Sequence, residues 1–197
     1  MIEFTDEEHQ LMLRLAKKSI EHGFKHGAPC PVDPKTIPTN LHAVVRSFVS
    51  ISTKNGENLG CMGNLDQRPM FVAVRNNAFN SAFGDNRFSP LTKYNINQQA
   101  FLKIHYLFEG TIYNNINKKR ALELLKPCHS LIISYNGSRT AMVSGMQEKW
   151  GKELFIDHTL EKSKTAIKQA LPLEFYEVEL VNTTSSPEIK YSEIGAM

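Results

Sequence analysis

The 197-residue sequence is 41% hydrophobic and 22% charged, a balance typical of folded globular proteins that excludes a fibrous or disordered chain. No apolar run approaches the roughly 18 residues that a spanning helix needs, and the N-terminus is acidic where a signal peptide is basic, so we expect a cytoplasmic protein without membrane contact. The lysines and arginines are scattered and the net charge is only +3, which disfavours nucleic acid as a partner.

The cysteines do not predict a cross-linked protein. Cys30, Cys61 and Cys128 cannot all pair with one another, and no Cys-x-x-Cys spacing is present. A chain of this length buries about 70% of its unfolded surface in a single domain. The core therefore needs neither disulfides nor a structural metal.

Periodicity and turn signals divide the chain into helices and hairpins. Apolar residues three or four apart indicate helices, alternation indicates strands, and Asn-Gly pairs suit tight hairpin turns. The prolines between Ala28 and Pro38 interrupt both patterns and indicate an extended connection. The predicted elements are, in order, a helix over 5–22, strands over 44–52 and 59–62, a helix over 70–83, a strand over 100–108, a helix over 118–125, strands over 130–135 and 138–143, a helix over 154–170 and a strand over 175–181.

Local signals also predict how the helices begin and end. Thr5 and Glu8 have the spacing of a capping box, and Gly23 and Gly27 are natural stops for the first helix. Gly84 suits a left-handed cap after the second helix. In the last helix, four apolar residues are predicted to contact the core: Leu154, Phe155, Leu160 and Ile167.

The order of elements predicts the fold class. Hairpins interspersed with single helices, without regular strand-helix-strand alternation, indicate an α+β fold with a mainly antiparallel sheet, flanking helices and room for two subdomains. Residues 182–197 lose the apolar pattern. We therefore predict one domain over residues 1–181, followed by a loose C-terminal tail.

The most unusual segment is Gly60-Cys61-Met62-Gly63-Asn64, which leaves a predicted strand toward the second helix. Glycines on both sides of a cysteine permit bulged backbone and leave room for a ligand beside the thiol, and a nearby helix N-terminus would favour the thiolate. Three interpretations stay open at this point. Cys61 is a nucleophile, part of a ligand site, or a small packing residue whose glycines permit close approach of another element.

A nucleophilic cysteine needs a base, and histidine is the usual one. His42 is the first candidate because it precedes the strand expected to pair with the cysteine's strand. His105 lies on an alternating strand and faces either a groove or solvent. His22 and His26 have the spacing that aligns two imidazoles, but the helix is expected to end at Gly23, so no metal site is predicted.

A second polar feature, Asp85 and Arg87, follows the second helix. The favoured interpretation is a structural clamp in which the two charges pair; the alternative is that Arg87 presents a planar cation to a carboxylate or phosphate. The sequence contains no phosphate-binding loop, nucleophile elbow or His-Glu-x-x-His motif, which disfavours the common hydrolase and nucleotide-binding classes. No cofactor is predicted.

Two motifs together resemble the AMMECR domain family, also called AmmeMemoRadiSam system protein A. The family hallmark, Leu-Arg-Gly-Cys-Ile-Gly, stands here as residues 58–63, Asn-Leu-Gly-Cys-Met-Gly. A second family motif, x-Asp-x-Arg-Phe-x-Pro-Leu, is matched by residues 84–91. Leu59 replaces the hallmark arginine, and residues 141–145 depart from the family's Ala-Thr-Phe/Tyr-Leu-Pro stretch, so the chain resembles a diverged member.

The resemblance implies an α+β fold with two subdomains and a cleft near the Gly-Cys motif. In prokaryotes, family members tend to be encoded beside a radical SAM protein and a MEMO-like protein, so these are the expected partners. One hypothesis is an accessory or catalytic component that uses Cys61, Arg87 and the surrounding segment to bind a small-molecule ligand. The other is a non-enzymatic interaction module in which Cys61 is structural; whether the protein is an enzyme stays open.

Overall fold

A computed structural model describes residues 4–94, 96, 100–168 and 170–195 of the chain. Within these residues the structure is α+β with antiparallel strand pairs, as predicted. The helices are α1 (Asp6–His26), α2 (Met70–Phe83), α3 (Lys118–Leu124) and α4 (Gly145–Ile167), and the strands are β1 (Val44–Thr53), β2 (Asn58–Pro69), β3 (Ala100–Tyr113), β4 (His129–Tyr135), β5 (Ser138–Met142), β6 (Glu177–Ser185) and β7 (Ile189–Lys190).

The chain divides into two compact units, and β3 continues from one into the other. The first unit comprises Met1–Tyr106 and Ser185–Met197, and the second comprises Leu107–Thr184. In the first unit the strands are ordered β2-β1-β3, with β7 paired to β3, so β2 is an edge strand. In the second unit the order is β3-β6-β4-β5.

Helix α1 begins as predicted and ends later than predicted. Thr5 caps the helix, with its hydroxyl accepting from the Glu8 N–H and the Glu8 carboxylate accepting from the Thr5 N–H. The helix continues through Gly23, because the missing side chain there makes room for aromatic rings of α2. Gly27, with φ of 65°, is the actual left-handed cap, so the predicted end at His22 is wrong.

The first hairpin and α2 lie close to their predicted positions. The Asn55-Gly56 turn joins β1 to β2, with Gly56 at φ 76°, and β2 continues beyond the predicted Met62 to Pro69. Helix α2 has the predicted bounds and packs on this hairpin. The prediction for Gly84 is wrong, because this residue follows α2 with φ of −110° in the right-handed region.

The second unit contains the second predicted hairpin. Asn136 and Gly137 have φ values of 47° and 80°, as a tight two-residue turn requires. Helix α4 begins earlier than predicted and is interrupted at Gly151. Two of the four predicted core contacts are confirmed: Phe155 is fully buried, and Leu160 is partly buried and packs on the core. The prediction for Leu154 is wrong, because its side chain is 51% exposed. The Ile167 side chain lies outside the described part of the structure.

The prediction of a loose tail over 182–197 is wrong for residues 182–195. Strand β6 extends to Ser185, and β7 pairs with the start of β3. Between them, the Ser186 N–H donates to the Ile104 carbonyl at 2.8 Å, and the Ile104 N–H donates to the Ser186 hydroxyl at 2.9 Å. Tyr191 and Ile194 are buried, so this segment is part of the first unit's core. None of the helices in the described residues is both long and apolar enough to cross a membrane.

Candidate functional site

Cys61 lies in the middle of β2, and its direct partner across the hairpin is Ser50 of β1. The Cys61 Sγ and Ser50 Oγ atoms are 3.2 Å apart, a distance at which a thiol and a hydroxyl hydrogen-bond. The thiol-bearing residue is partly buried, whereas Cys30 is buried and Cys128 is exposed. The structure thus places the predicted cysteine on an edge strand with a neutral hydroxyl beside it.

Asp85 and Arg87 hold both backbone polar groups of Cys61. The Cys61 N–H donates to Asp85 Oδ2 at 2.9 Å, and Arg87 Nη2 donates to the Cys61 carbonyl at 2.8 Å. The same guanidinium donates to the Asp85 carboxylate from Nε at 2.8 Å and from Nη2 at 2.6 Å. The pair therefore occupies the position of a further strand at the edge of the sheet, where exposed N–H and C=O groups would invite pairing with another chain.

The electrostatics of the pair keep Asp85 ionised. Burial by itself raises the pKa of the Asp85 carboxyl, but the hydrogen bonds from Arg87 and from the Cys61 N–H outweigh it, and the pKa lies below its usual range. The hydrogen bond to Asp85 raises the pKa of Arg87. A carboxylate of low pKa that already accepts from four donors, the fourth being the Arg87 backbone N–H, is a poor proton acceptor for a neighbouring thiol.

The space beside the glycines that flank the cysteine is filled by other residues of the protein. A Cβ atom at Gly60 would overlap the backbone carbonyl of Ser81 on α2, and one at Gly63 would overlap the ring of Phe48 on β1. The space beside these glycines therefore admits other elements of the same unit. This favours the close-packing interpretation of the two glycines over the interpretation that they make room for a ligand.

Polar residues of α2 bind the other side of the same segment. The Met62 N–H donates to Ser81 Oγ at 2.9 Å, and Ser81 Oγ donates in turn to the Val49 carbonyl at 2.7 Å. Asn77 Nδ2 donates to the Asn64 side-chain carbonyl at 2.9 Å and also to Ser47 on β1. The predicted ligand residues Met62 and Asn64 are therefore engaged with α2 through these groups.

Sequence reasoning missed Ser81 and Asn77. Both are buried polar residues, four positions apart, on the face of α2 that packs on the first hairpin. Their spacing among apolar neighbours was an available signal, because buried polar side chains need partners and therefore mark points of specific contact.

The structure does not bring His42 to Cys61. His42 ends a short 3-10 segment, where its Nε2 bonds the Ile37 carbonyl at 3.2 Å and its ring packs against Phe71. Strand β1 begins at Val44, and Ser50, the partner of Cys61, lies six positions further along the strand. At about 3.3 Å per residue the separation along the strand is roughly 20 Å, too far for proton transfer.

His105 is buried on β3 and faces neither solvent nor an open groove. Its Nδ1 atom lies 2.8 Å from the Ser185 hydroxyl. Burial, with a smaller contribution from Lys103, lowers the pKa of His105 to about 3. The imidazole is therefore neutral at physiological pH and acts as a hydrogen-bonding core residue.

The fold and the interlocked motifs define an AMMECR-type domain, and comparison with known proteins shows the same. The AMMECR1 family model matches residues 13–181, so the chain belongs to this family. A curated relative, "Protein MK0488" of Methanopyrus kandleri, is 26% identical over 165 residues, which cover 81% of this chain and 78% of the relative.

A solved structure has the same fold. The crystal structure of the uncharacterized protein PH0010 from Pyrococcus horikoshii superposes with a TM-score of 0.79 at 20% identity, covering 95% of this chain and 98% of that one. At this identity the likeness concerns the fold alone.

Proposed function

We propose that this AMMECR1-family protein is a non-enzymatic interaction module that serves as an accessory to radical SAM and MEMO-like proteins. The accessory role beside these two proteins comes from the first hypothesis that the family resemblance left open, and the non-enzymatic role comes from the second. In this proposal, Cys61 is a structural residue, and the partner proteins recognise the surface of the first unit.

One observation carries the proposal: the two motifs that define the family resemblance bind each other. The Gly-Cys segment supplies a backbone N–H and C=O, and the Asp-x-Arg segment supplies the carboxylate and guanidinium that satisfy them. The glycines of the first motif admit Ser81 and Phe48 rather than a ligand. Both motifs are thus explained by their structural contacts with each other.

The candidates for a catalytic base also support a structural cysteine. His42 lies at the far end of the hairpin, and Asp85 is held ionised by Arg87. The partner shown for the thiol is the Ser50 hydroxyl, which is a weak base. Arg87 interacts electrostatically with Cys61, but the hydrogen bonds shown for its guanidinium go to the Asp85 carboxylate and the Cys61 carbonyl. Activation of a cysteine requires a neighbouring base or cation directed at the sulfur itself.

Alkylation by iodoacetamide between about pH 5 and 9 tests the role of the thiol, with the other two cysteines as internal references. We expect Cys128, which is exposed, to react first and Cys30, which is buried, to react only on unfolding. Cys61 is expected to react more slowly than Cys128 at every pH. Faster reaction of Cys61 than of Cys128 below neutral pH would contradict the structural assignment, because it requires a stabilised thiolate.

Binding experiments test the accessory role. Purified radical SAM and MEMO-like proteins encoded by the same organism are titrated with the wild-type chain and with the Cys61→Ser variant. We expect both forms to bind at least one of the two proteins with equal affinity. Absence of binding by the wild type, or loss of binding on removing only the sulfur, would refute the proposal.

A second candidate function, binding of a small anionic ligand near Arg87, rests on one specific observation. The Arg87 side chain is about half exposed although it is anchored to Asp85, and its guanidinium lies 5.3 Å from the centroid of the Phe88 ring. A fixed, partly exposed guanidinium is suited to a carboxylate or phosphate. Ligand-dependent thermal stabilisation by simple carboxylates and phosphates, lost in Arg87→Lys, would favour this candidate.

A further inference from the structure

We propose that His22 and His26 form a binding site for a divalent transition-metal ion at the end of α1. The four-residue spacing of the two histidines predicts a shared helix face only if the helix continues past Gly23, and the structure shows that it does. Helix α1 continues to His26, and the two imidazole centroids are 4.3 Å apart with an interplanar angle of 35°. Residues four positions apart on a continuous helix share one face, which brings both rings to the same ion.

The second observation is the hydrogen bond that orients His22. Its Nδ1–H donates to the Ala28 carbonyl at 2.8 Å, which fixes the tautomer with the proton on Nδ1 and leaves Nε2 as the nitrogen with a lone pair. Metal-binding histidines characteristically donate the N–H of their other ring nitrogen to a carbonyl in this way. The hydrogen bond therefore directs Nε2 of His22, and not Nδ1, to a metal ion.

The cap of α1 makes this orientation possible. Gly27 adopts φ of 65°, so the chain reverses at the helix end and the Ala28 carbonyl points back toward His22. A residue with a side chain rarely adopts this conformation. The left-handed cap at Gly27 therefore positions the carbonyl that orients His22.

The donor set specifies the class of ion. Imidazole nitrogen suits Zn²⁺, Ni²⁺ and Cu²⁺, whereas Mg²⁺ and Ca²⁺ prefer oxygen ligands. Among the described residues, no group of three or more His, Cys, Asp or Glu is placed to hold a metal ion. Two imidazoles from this chain leave coordination positions for water or for a donor of another molecule, which is an open site rather than a closed structural one. His26 is exposed and His22 partly so, giving the ion access from solvent.

The test is calorimetric titration of the chelator-treated full chain with NiCl₂ and ZnCl₂. All forms carry Cys128→Ser, because that exposed thiol would bind the same ions. We expect one ion per chain, and at least about tenfold weaker binding in His26→Ala. His158→Ala is the matched control, because it removes another exposed histidine from a different helix and should leave affinity unchanged.

A spectroscopic readout complements the titration. With Cu²⁺, electron paramagnetic resonance should show nitrogen hyperfine coupling that is reduced in His26→Ala and in His22→Ala. His26 is at the surface, so its replacement keeps the fold, and circular dichroism confirms this for each variant. Undetectable binding by the parent protein, or equal affinity in His26→Ala and His158→Ala, would overturn the proposal.

Discussion

Asp85 is the side chain on which the geometry around Cys61 most depends. It is buried, with 3% of its side chain exposed, and accepts from the backbone of Cys61 and from Arg87. The sequence predicted a clamp between Asp85 and Arg87 because the two charges are close along the chain. It did not predict that the clamp closes on Cys61, since that contact joins residues 24 positions apart.

We expect Asp85→Ala to lower the free energy of unfolding by about 2 kcal/mol, because it removes the acceptor of a partly buried N–H and the carboxylate that pairs with a half-exposed guanidinium. Urea unfolding monitored by circular dichroism measures the change. Asp66→Ala is the matched control: Asp66 pairs with Arg68 at the same two-residue spacing, but the closest approach is 3.9 Å and the side chain is 79% exposed. A change of similar size in both variants would show that the clamp carries no special stability.

At the scale of single elements, hairpins were predicted best. The two Asn-Gly turns fix their hairpins through local backbone preferences, which adjacent residues alone determine. Helix ends were predicted less well. Gly23 is a stop signal in isolation, yet α1 passes through it because Phe79 and Phe83 of α2 fill the space that its missing side chain leaves.

The interruption of helix α4 is explained by a single residue. Gly151 has φ of 78° and ψ of 164°, a backbone conformation accessible essentially only to glycine. We expect Gly151→Ala to destabilise the protein by about 1 to 3 kcal/mol in thermal or urea unfolding. Lys152→Ala, at the exposed neighbouring position, serves as the control. If Gly151→Ala is as stable as the wild type, the two helical segments join without the break, and the break is not required by the fold.

At the scale of the whole molecule, the C-terminal segment is integral to the fold. Its polar composition indicated a tail, but β7 pairs with β3 and Tyr191 is only 1% exposed. We expect Tyr191→Ala to cost about 3 to 5 kcal/mol in urea unfolding, as for other large buried aromatic residues. Glu193→Ala, two positions away and exposed, should cost little. Equal stability of the two variants would restore the loose-tail interpretation.

The pH dependence of stability is the second property of the whole molecule, and it follows mainly from His105. The folded pKa of about 3 lies below the ordinary 6.5, so between these values the unfolded chain binds a proton that the folded chain does not. Stability is therefore full above about pH 6.5 and falls as the pH decreases toward 3, by up to about 1.4 kcal/mol for each pH unit. Burial also lowers the pKa values of His9 and His129, which act in the same direction.

Urea unfolding at several pH values between about 4 and 7 measures this slope. His105→Asn keeps a polar group near Ser185 and removes the titration, so its slope should be shallower than that of the wild type. Asp85 and Glu8, whose pKa values are lowered from 3.8 and 4.5, add to the slope below about pH 5 in both proteins, so the two slopes are compared between about pH 5 and 7. An identical slope in His105→Asn would assign the pH dependence to other groups.

The fold class, the order of elements and both hairpins could be predicted from the sequence, because they depend on periodicity and on the turn preferences of neighbouring residues. The two motifs were recognised by their resemblance to a known family. How the motifs are used depends on contacts that form only in the folded protein. Hydrogen bonds and packing between distant residues direct Asp85 to Cys61, carry α1 past Gly23 and anchor the segment after Val181 through β7 and the buried Tyr191 and Ile194. Such contacts follow from three-dimensional proximity, which local sequence pattern does not encode.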